Sequence, residues 1–201
     1  MNNEDIAYIK KHITKGNKKL PKSTWIFNSG SASDCPARKM GLCQIGEKCY
    51  ALKAERQYPP CLPFRERQRT ITETFTAEQF AEAFIILAKK VRKLPTLRFN
   101  ESGDFYTQEQ CDWFATVCEI LKNAGIESYG YTARTDLNLV PLINASKVNV
   151  SNDRNGWVTK GANRFKVFTK TDTPPDLVCA GDCRICRMCL STGKTIGVLL
   201  H

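Results

Sequence analysis

The stretch TLRFNESGDFYTQEQCDWFATVCEILKNAGIESYGYT, residues 96–132, decides the fold. Thr96-Leu97-Arg98-Phe99-Asn100 is a short run suited to a strand, and Glu101-Ser102-Gly103-Asp104 closes it with turn formers. Thr107 can cap a helix running to about Asn123, which Ala124-Gly125 stops. Ser128 to Thr132 returns to strand. Working outward, Asp136 to Asn144 reads as a short helix, Lys147 to Ser151 as a strand, and Arg164 to Thr169 as the last strand. Toward the N-terminus, Thr24-Trp25-Ile26-Phe27-Asn28 is a strand. Cys49 to Gln57 starts a helix that Pro59-Pro60 interrupts. Thr76 to Lys93 has helical spacing, with Phe80, Ala83, Phe84, Leu87 and Val91 on one face, and ends before Pro95.

Strands alternating with helices predict an α/β fold of βα units with a parallel sheet. Four or five units fit a partial, half TIM-type barrel or an open parallel sheet better than a closed eightfold barrel. We therefore expect a basic N-terminal segment over residues 1–23, a βα-repeat domain over 24–170 and a cysteine-rich C-terminal extension over 171–201. In such sheets ligands bind beyond the carboxyl ends of the strands. Polar residues gather there: Asn28, Ser29 and Gly30 after the first strand, Glu101 to Asp104 after the second, Thr132 to Arg134 after the third, and Ser151, Asn152 and Asp153 after the fourth. A single such turn is ordinary, but four at one rim make a site.

Ten cysteines decide the candidate chemistry. Cys179, Cys183, Cys186 and Cys189 crowd four thiols into one short loop. Thiolate suits both zinc and iron–sulfur clusters, but structural zinc usually takes two pairs from separate turns, which favours a [4Fe-4S] cluster here and leaves zinc as the alternative metal. Cys35, Cys43, Cys49 and Cys61 are separated by seven, five and eleven residues, a looser spacing at the rim beyond the first strand. The first three are the stronger candidate ligands. Cys111 and Cys118 accompany Phe114 and Leu121 on a helix and read as core.

The formal charge of +10 is uneven: residues 1–70 carry 14 Lys and Arg against 6 Asp and Glu, while 71–201 carry 16 against 14. Lys10, Lys11, Lys15, Lys18, Lys19 and Lys22 could meet nucleic acid or another polyanion. No aromatic residue interleaves that run to stack on bases, so it reads first as a solvated tail or helix face. Met-Asn-Asn-Glu-Asp-Ile has no apolar signal core, and no stretch approaches the roughly 18 apolar residues of a membrane span, so a cytoplasmic protein with reduced thiols is expected. His12 and His201 sit near the ends and support no Cys-His or Ser-His nucleophile. Gly193-Lys194-Thr195 is only a fragment of a phosphate loop.

Several strings carry a resemblance. Cys35-Pro36-Ala37, Cys43, Cys49-Tyr50-Ala51-Leu52-Lys53 and Tyr58-Pro59 are followed by Arg98-Phe99 and Ser102-Gly103-Asp104-Phe105-Tyr106. Tyr129 to Arg134, Val150-Ser151, the cysteine quartet and His201 complete the order. Over about residues 24–201 the chain resembles the phage gene product 88 family, itself distantly similar to radical S-adenosylmethionine enzymes. That likeness implies a [4Fe-4S] cluster on Cys35, Cys43 and Cys49, with S-adenosylmethionine completing it. The spacing departs from the usual three and two residues, which occur instead at Cys179, Cys183 and Cys186. Ser102-Gly103-Asp104 stands where such enzymes hold the amino group of the cofactor. With Glu101, Arg134, Ser151 and Asn152 it would line a pocket for an unknown small-molecule or macromolecular substrate, and the quartet would hold a second cluster. The competing expectation is a non-catalytic, zinc- or cluster-stapled module that binds a host protein or nucleic acid through its basic N-terminal third.

Overall fold

The computed structural model describes residues 1–151, 161–175, 177–191 and 193–200. Among these residues eight strands form one open, mostly parallel sheet. They are β1 (Thr14–Lys15), β2 (Thr24–Phe27), β3 (Thr96–Phe99), β4 (Ser128–Thr132), β5 (Lys147–Ser151), β6 (Asn163–Phe168), β7 (Leu177–Val178) and β8 (Thr195–Leu199), in spatial order β1-β2-β3-β4-β5-β6-β8-β7. The pairs from β2 through β6, and both pairs of β8, are parallel. Strand β1 adds an antiparallel edge, with Thr14 opposite Ile26. No helix among the described residues is long and apolar enough to cross a membrane.

Among the described residues there are seven α-helices, α1 before the first strand and the rest in connections: α1 (Asn3–Lys11), α2 (Pro36–Lys39), α3 (Tyr50–Gln57), α4 (Cys61–Thr74), α5 (Ala77–Ala88), α6 (Gln108–Asn123) and α7 (Val140–Ala145). Their ends follow local chemistry. Thr76 and Gln79 close α5 with a reciprocal capping box, and the Thr107 hydroxyl accepts from the Gln110 N–H at 3.2 Å. Helix α5 is shorter than the expected Thr76 to Lys93. After Ala88 the cations Lys89, Lys90, Arg92 and Lys93 leave no apolar stripe to bury, so Val91, expected on the core face, is exposed. Helix α7 begins at Val140, not Asp136. Pro141 sets its first turn, and residues before it are held by the Arg134–Asp136 ion pair at 2.8 Å.

Alternation along the strands sorts the two faces. Trp25, Phe27, Leu97, Phe99, Val148 and Val150 join the core beneath α1, α5, α6 and α7. Phe27 meets the rings of Phe80, Trp113 and Phe114 at centroid separations of 4.4, 6.1 and 6.0 Å. Each such buried ring is worth about 1.5–3 kcal/mol of transfer free energy. The N-terminal segment shares this core through fully buried Ile9, while Lys10, Lys11, Lys15, Lys18, Lys19 and Lys22 stay exposed. The opposite face shows Arg98, Tyr129, Tyr131, Asn149 and Asn163, and the C-terminal cysteine segment lies toward it.

The sheet does not end at Arg164 to Thr169 as expected. Strand β8 pairs in parallel with β6 from Arg164 opposite Thr195 to Phe168 opposite Leu199. Its other side takes β7. The cysteine quartet is therefore the connection between two adjacent parallel strands.

Candidate functional site

The carboxyl ends of β2, β3 and β4 are knitted by side chains. Asn100, the one described non-glycine residue with positive φ (53°), ends β3 in a left-handed conformation. Its Oδ1 accepts from the Ser29 N–H at 3.1 Å and from the Ser29 hydroxyl at 2.8 Å. Asn28 completes the tie: its Oδ1 accepts from the Ser102 N–H at 3.0 Å, and its amide donates to Gln68 Oε1 at 2.9 Å. Gly103 has φ 69°, and a Cβ there would lie 2.5 Å from the Gly30 carbonyl oxygen, so the turn requires glycine.

Asp104 closes the loop from β3 onto β4. Its carboxylate accepts from the Thr132 hydroxyl and the Ala133 N–H at 2.7 Å each, and from the Phe105 N–H at 2.9 Å. Burial pushes its pKa up to about 6, against the pull of these donors and the Arg134 charge. Arg134 donates to the Phe105 carbonyl, to the Tyr106 carbonyl at 3.3 Å and to Asp136. Ser102 is buried and its hydroxyl donates to Glu55 Oε1 at 3.3 Å. Glu101 is half-buried, takes Asn17 Nδ2 on Oε1 at 2.6 Å and gives its carbonyl to the Tyr50 hydroxyl at 2.6 Å. Ser151 ends β5 half-buried, whereas Asn152 lies outside the described residues. The rim thus brings Ser102, Gly103, Asp104 and Arg134 together as an internally bonded frame.

All ten cysteines are free thiols. Cys35 and Cys49 stand immediately before α2 and α3, and Cys43 lies between them. Burial pushes the Cys35 thiol up to about 12, and the Asp104 carboxylate, Cys43 and Cys49 press in the same direction. Burial also raises Cys43, with Cys49 and Asp104 acting on it. Backbone N–H groups oppose these shifts: Arg38 donates to Cys35, and Ile45 and Gly46 to Cys43. Cys61 opens α4 one helix further along, its N–H bonded to the Tyr58 carbonyl at 2.9 Å. Cys111 and Cys118 are buried on α6 in the core.

In the quartet, the Cys179 N–H bonds the Gly197 carbonyl at 2.7 Å, and its sulfur accepts from the Gly181 N–H at 3.4 Å. The Cys183 N–H reaches the Lys19 carbonyl at 3.1 Å. Asn149 Nδ2 holds the Cys189 carbonyl at 3.1 Å, and the Tyr131 hydroxyl bonds the Cys189 sulfur. Burial raises Cys183 and Cys189, while the Arg98 charge favours their thiolates.

Among the described residues no three His, Cys, Asp or Glu side chains stand together closely enough to hold a metal ion. The donor set nevertheless fits a thiolate-seeking metal. Two groups of unpaired thiols sit on loops, and N–H donors aimed at sulfur are the bonds that tune such ligands. Metal capture at either group requires its loop to draw inward.

Sequence reasoning missed the supports behind the first group. Glu55 on α3 accepts from the Ala32 N–H at 2.7 Å, the Ser33 N–H at 2.8 Å and Arg65 Nη1 at 2.8 Å. Burial opposes its ionisation, yet hydrogen bonds from Ser33, Ala32 and Arg65 hold its carboxyl below the usual range. Only the pairing of Glu55 with Arg65 across two amphipathic helices could have signalled it.

A family model described as Gene product 88 matches residues 3–151. The chain belongs to the Gene product 88 family. The match begins inside α1, so the family includes the N-terminal segment that the resemblance in the sequence left out. It covers Cys35, Cys43, Cys49, Cys61 and the whole Asn28–Arg134 rim, and ends at Ser151, before the quartet. No curated protein and no solved structure matches this Gene product 88 chain.

Proposed function

We propose that this Gene product 88 protein is a cysteine-ligated iron–sulfur protein whose open sheet serves as the partial barrel of a radical S-adenosylmethionine-type site. The observation that carries this reading is the placement of Cys35 and Cys49 at the starts of α2 and α3, near enough that Cys49 and Asp104 act on both Cys35 and Cys43, at the carboxyl rim of a parallel sheet. In this reading Cys35, Cys43 and Cys49 hold a [4Fe-4S] cluster with one open iron, and Cys179, Cys183, Cys186 and Cys189 hold a closed second centre. Bound there, such a cluster supplies an electron for reductive cleavage of S-adenosylmethionine.

The chain's own part is positioning. Glu55 fixes the backbone of Ala32 and Ser33 just before Cys35. Asp104 and Arg134 fix the loop beyond β3 against β4. Because the side chains of Ser102, Asp104 and Arg134 already have internal partners, the turn at Gly103 meets a cofactor through its backbone. Groups acting on the two cysteine sets differ, Asp104 on one and Arg98 on the other, which favours two centres over one shared by both ends of the chain.

A second reading rests on that same internal saturation of the rim. A non-catalytic zinc- or cluster-stapled module, binding a protein or nucleic acid through the exposed lysines of its first 22 residues, needs no open pocket. Anaerobic purification followed by iron, sulfide and zinc analysis with a visible spectrum separates the two. Colourless protein with stoichiometric zinc overturns the cluster reading. Cluster-replete, reduced protein that releases 5′-deoxyadenosine from S-adenosylmethionine supports it, and failure both to bind and to cleave leaves the module.

A further inference from the structure

The sheet face opposite α1, α5, α6 and α7 carries a half-buried cation, Arg98. Arg98 on β3 sits opposite Tyr129, with its Cζ 5.9 Å from the Tyr129 ring and 5.1 Å from that of Tyr131. Its Nε is buried without a hydrogen-bond acceptor among the described residues. Glu101 acts on it only from beyond ion-pair distance and gives an oxygen to Asn17 instead. A guanidinium with its Nε cut off from water and no acceptor on it is costly, so something negative belongs beside it.

The cysteine strap supplies that neighbour. It is fastened on the β2 side, where the Lys19 carbonyl takes the Cys183 N–H. It is fastened again on the β5–β6 side, where Asn149 holds the Cys189 carbonyl and Asn163 the Ser191 carbonyl at 2.8 Å. Between those anchors Cys183 and Cys189 lie within reach of the Arg98 charge and of Tyr129, and Cys189 within reach of Tyr131. Four thiolates around a divalent zinc or an iron–sulfur core leave a net negative charge.

We propose that Arg98 is the counter-charge of a tetrathiolate metal centre formed by Cys179, Cys183, Cys186 and Cys189, with the Tyr131 hydroxyl as its hydrogen-bonding companion at Cys189. This rests on the metal reading of the quartet given above. Arg98 acts as a positioning residue, through the charge it places beside the ligands.

The test is cobalt(II) titration of anaerobic, metal-free full-length protein carrying Ser at Cys35, Cys43 and Cys49, read by thiolate-to-cobalt absorption, alongside thermal unfolding of the metal-free form. Arg98→Gln weakens cobalt binding by ~10–100-fold. Arg98→Lys restores most of it. In the metal-free form Arg98→Gln is as stable as its parent or more so, because a half-buried cation with an unsatisfied Nε and no anionic partner has gone. A merely structural arginine gives the opposite pattern, lower metal-free stability with unchanged cobalt affinity, and that overturns the proposal. Absence of any thiolate–cobalt band in the parent overturns the metal reading of the quartet and the role of Arg98 with it, whereas a normal parent band unaltered by Arg98→Gln removes Arg98 alone.

Discussion

Glu55 and Arg65 form an ion pair of 2.8 Å between side chains only 1% and 10% exposed, and the same carboxylate grips the backbone two and three residues before Cys35. Removing one partner leaves an uncompensated buried charge. Glu55→Ala is expected to cost about 3–5 kcal/mol in urea unfolding. Combining it with Arg65→Met is expected to cost less than the sum of the two single changes, since the orphaned guanidinium is gone. Equal, additive losses would show that the pair does not act as a unit.

Asp104 and Glu55 give the metal-free protein opposite pH dependences. The folded pKa of Asp104, about 6, lies above the ordinary carboxylate value, so its contribution is present below pH ~4 and lost as pH rises through 6. Glu55 is held below its ordinary value, so its contribution is present above that value and lost as pH falls through the folded pKa. The stability difference between parent and Asp104→Asn should therefore change between pH 4 and 6, by up to about 3 kcal/mol. The difference between parent and Glu55→Gln should instead change as pH falls below about 4.5, in the opposite direction. A flat Asp104 difference would contradict the raised pKa.

Gly130 lies where β4 passes the Phe99 ring, and a Cβ there would sit 2.0 Å from Phe99 Cδ2. Gly130→Ala is expected to destabilise by at least ~1–3 kcal/mol, because a ring in the packed core cannot yield without moving Phe105 and Phe114. Adding Phe99→Leu should recover part of the loss. No recovery would place the strain in the backbone instead.

Serine substitutions count the centres. With two centres, Cys35→Ser or Cys49→Ser lowers the metal content of one and leaves the other, and Cys183→Ser or Cys186→Ser does the reverse. Complete loss of metal from each of the four variants would mean a single centre shared by both ends of the chain.

The strands of residues 24–28, 96–100, 128–132 and 147–151 were legible because each is a short run with turn formers at its end, and α6 because Thr107 and Gly125 bracket it. Other elements were hidden by local composition. Ile9 and Ile13 are core residues embedded among lysines, so α1 and β1 read as a solvated tail. Helix α4 carries Pro63 in its first turn and five charged residues, which masks the stripe around Ile71. Strand β8 follows the cysteines and a glycine-containing loop, where only its partners β6 and β7 identify it as sheet. At the site, the topological rule located the polar strand ends, but it could not foresee that Asp104 and Arg134 spend their hydrogen bonds on one another's loops. Nor does any pattern announce a left-handed Asn100 or a buried Glu55, since both residue types are ordinary on exposed turns and helix faces.

Neighbouring parallel strands need a crossover, usually a helix with its own hydrogen-bond ladder, but β7 and β8 are joined by the cysteine loop, whose described regular structure is the single turn Met188–Leu190. Whatever gathers those four thiols therefore also guards the open flank of the sheet. Oxidation that scrambles the loop would loosen β7 and strip the outer side of β8, leaving Ile196 and Val198 on a bare strand edge. The quality of the thiol environment is thus tied to whether copies of the chain stay apart or stack edge to edge.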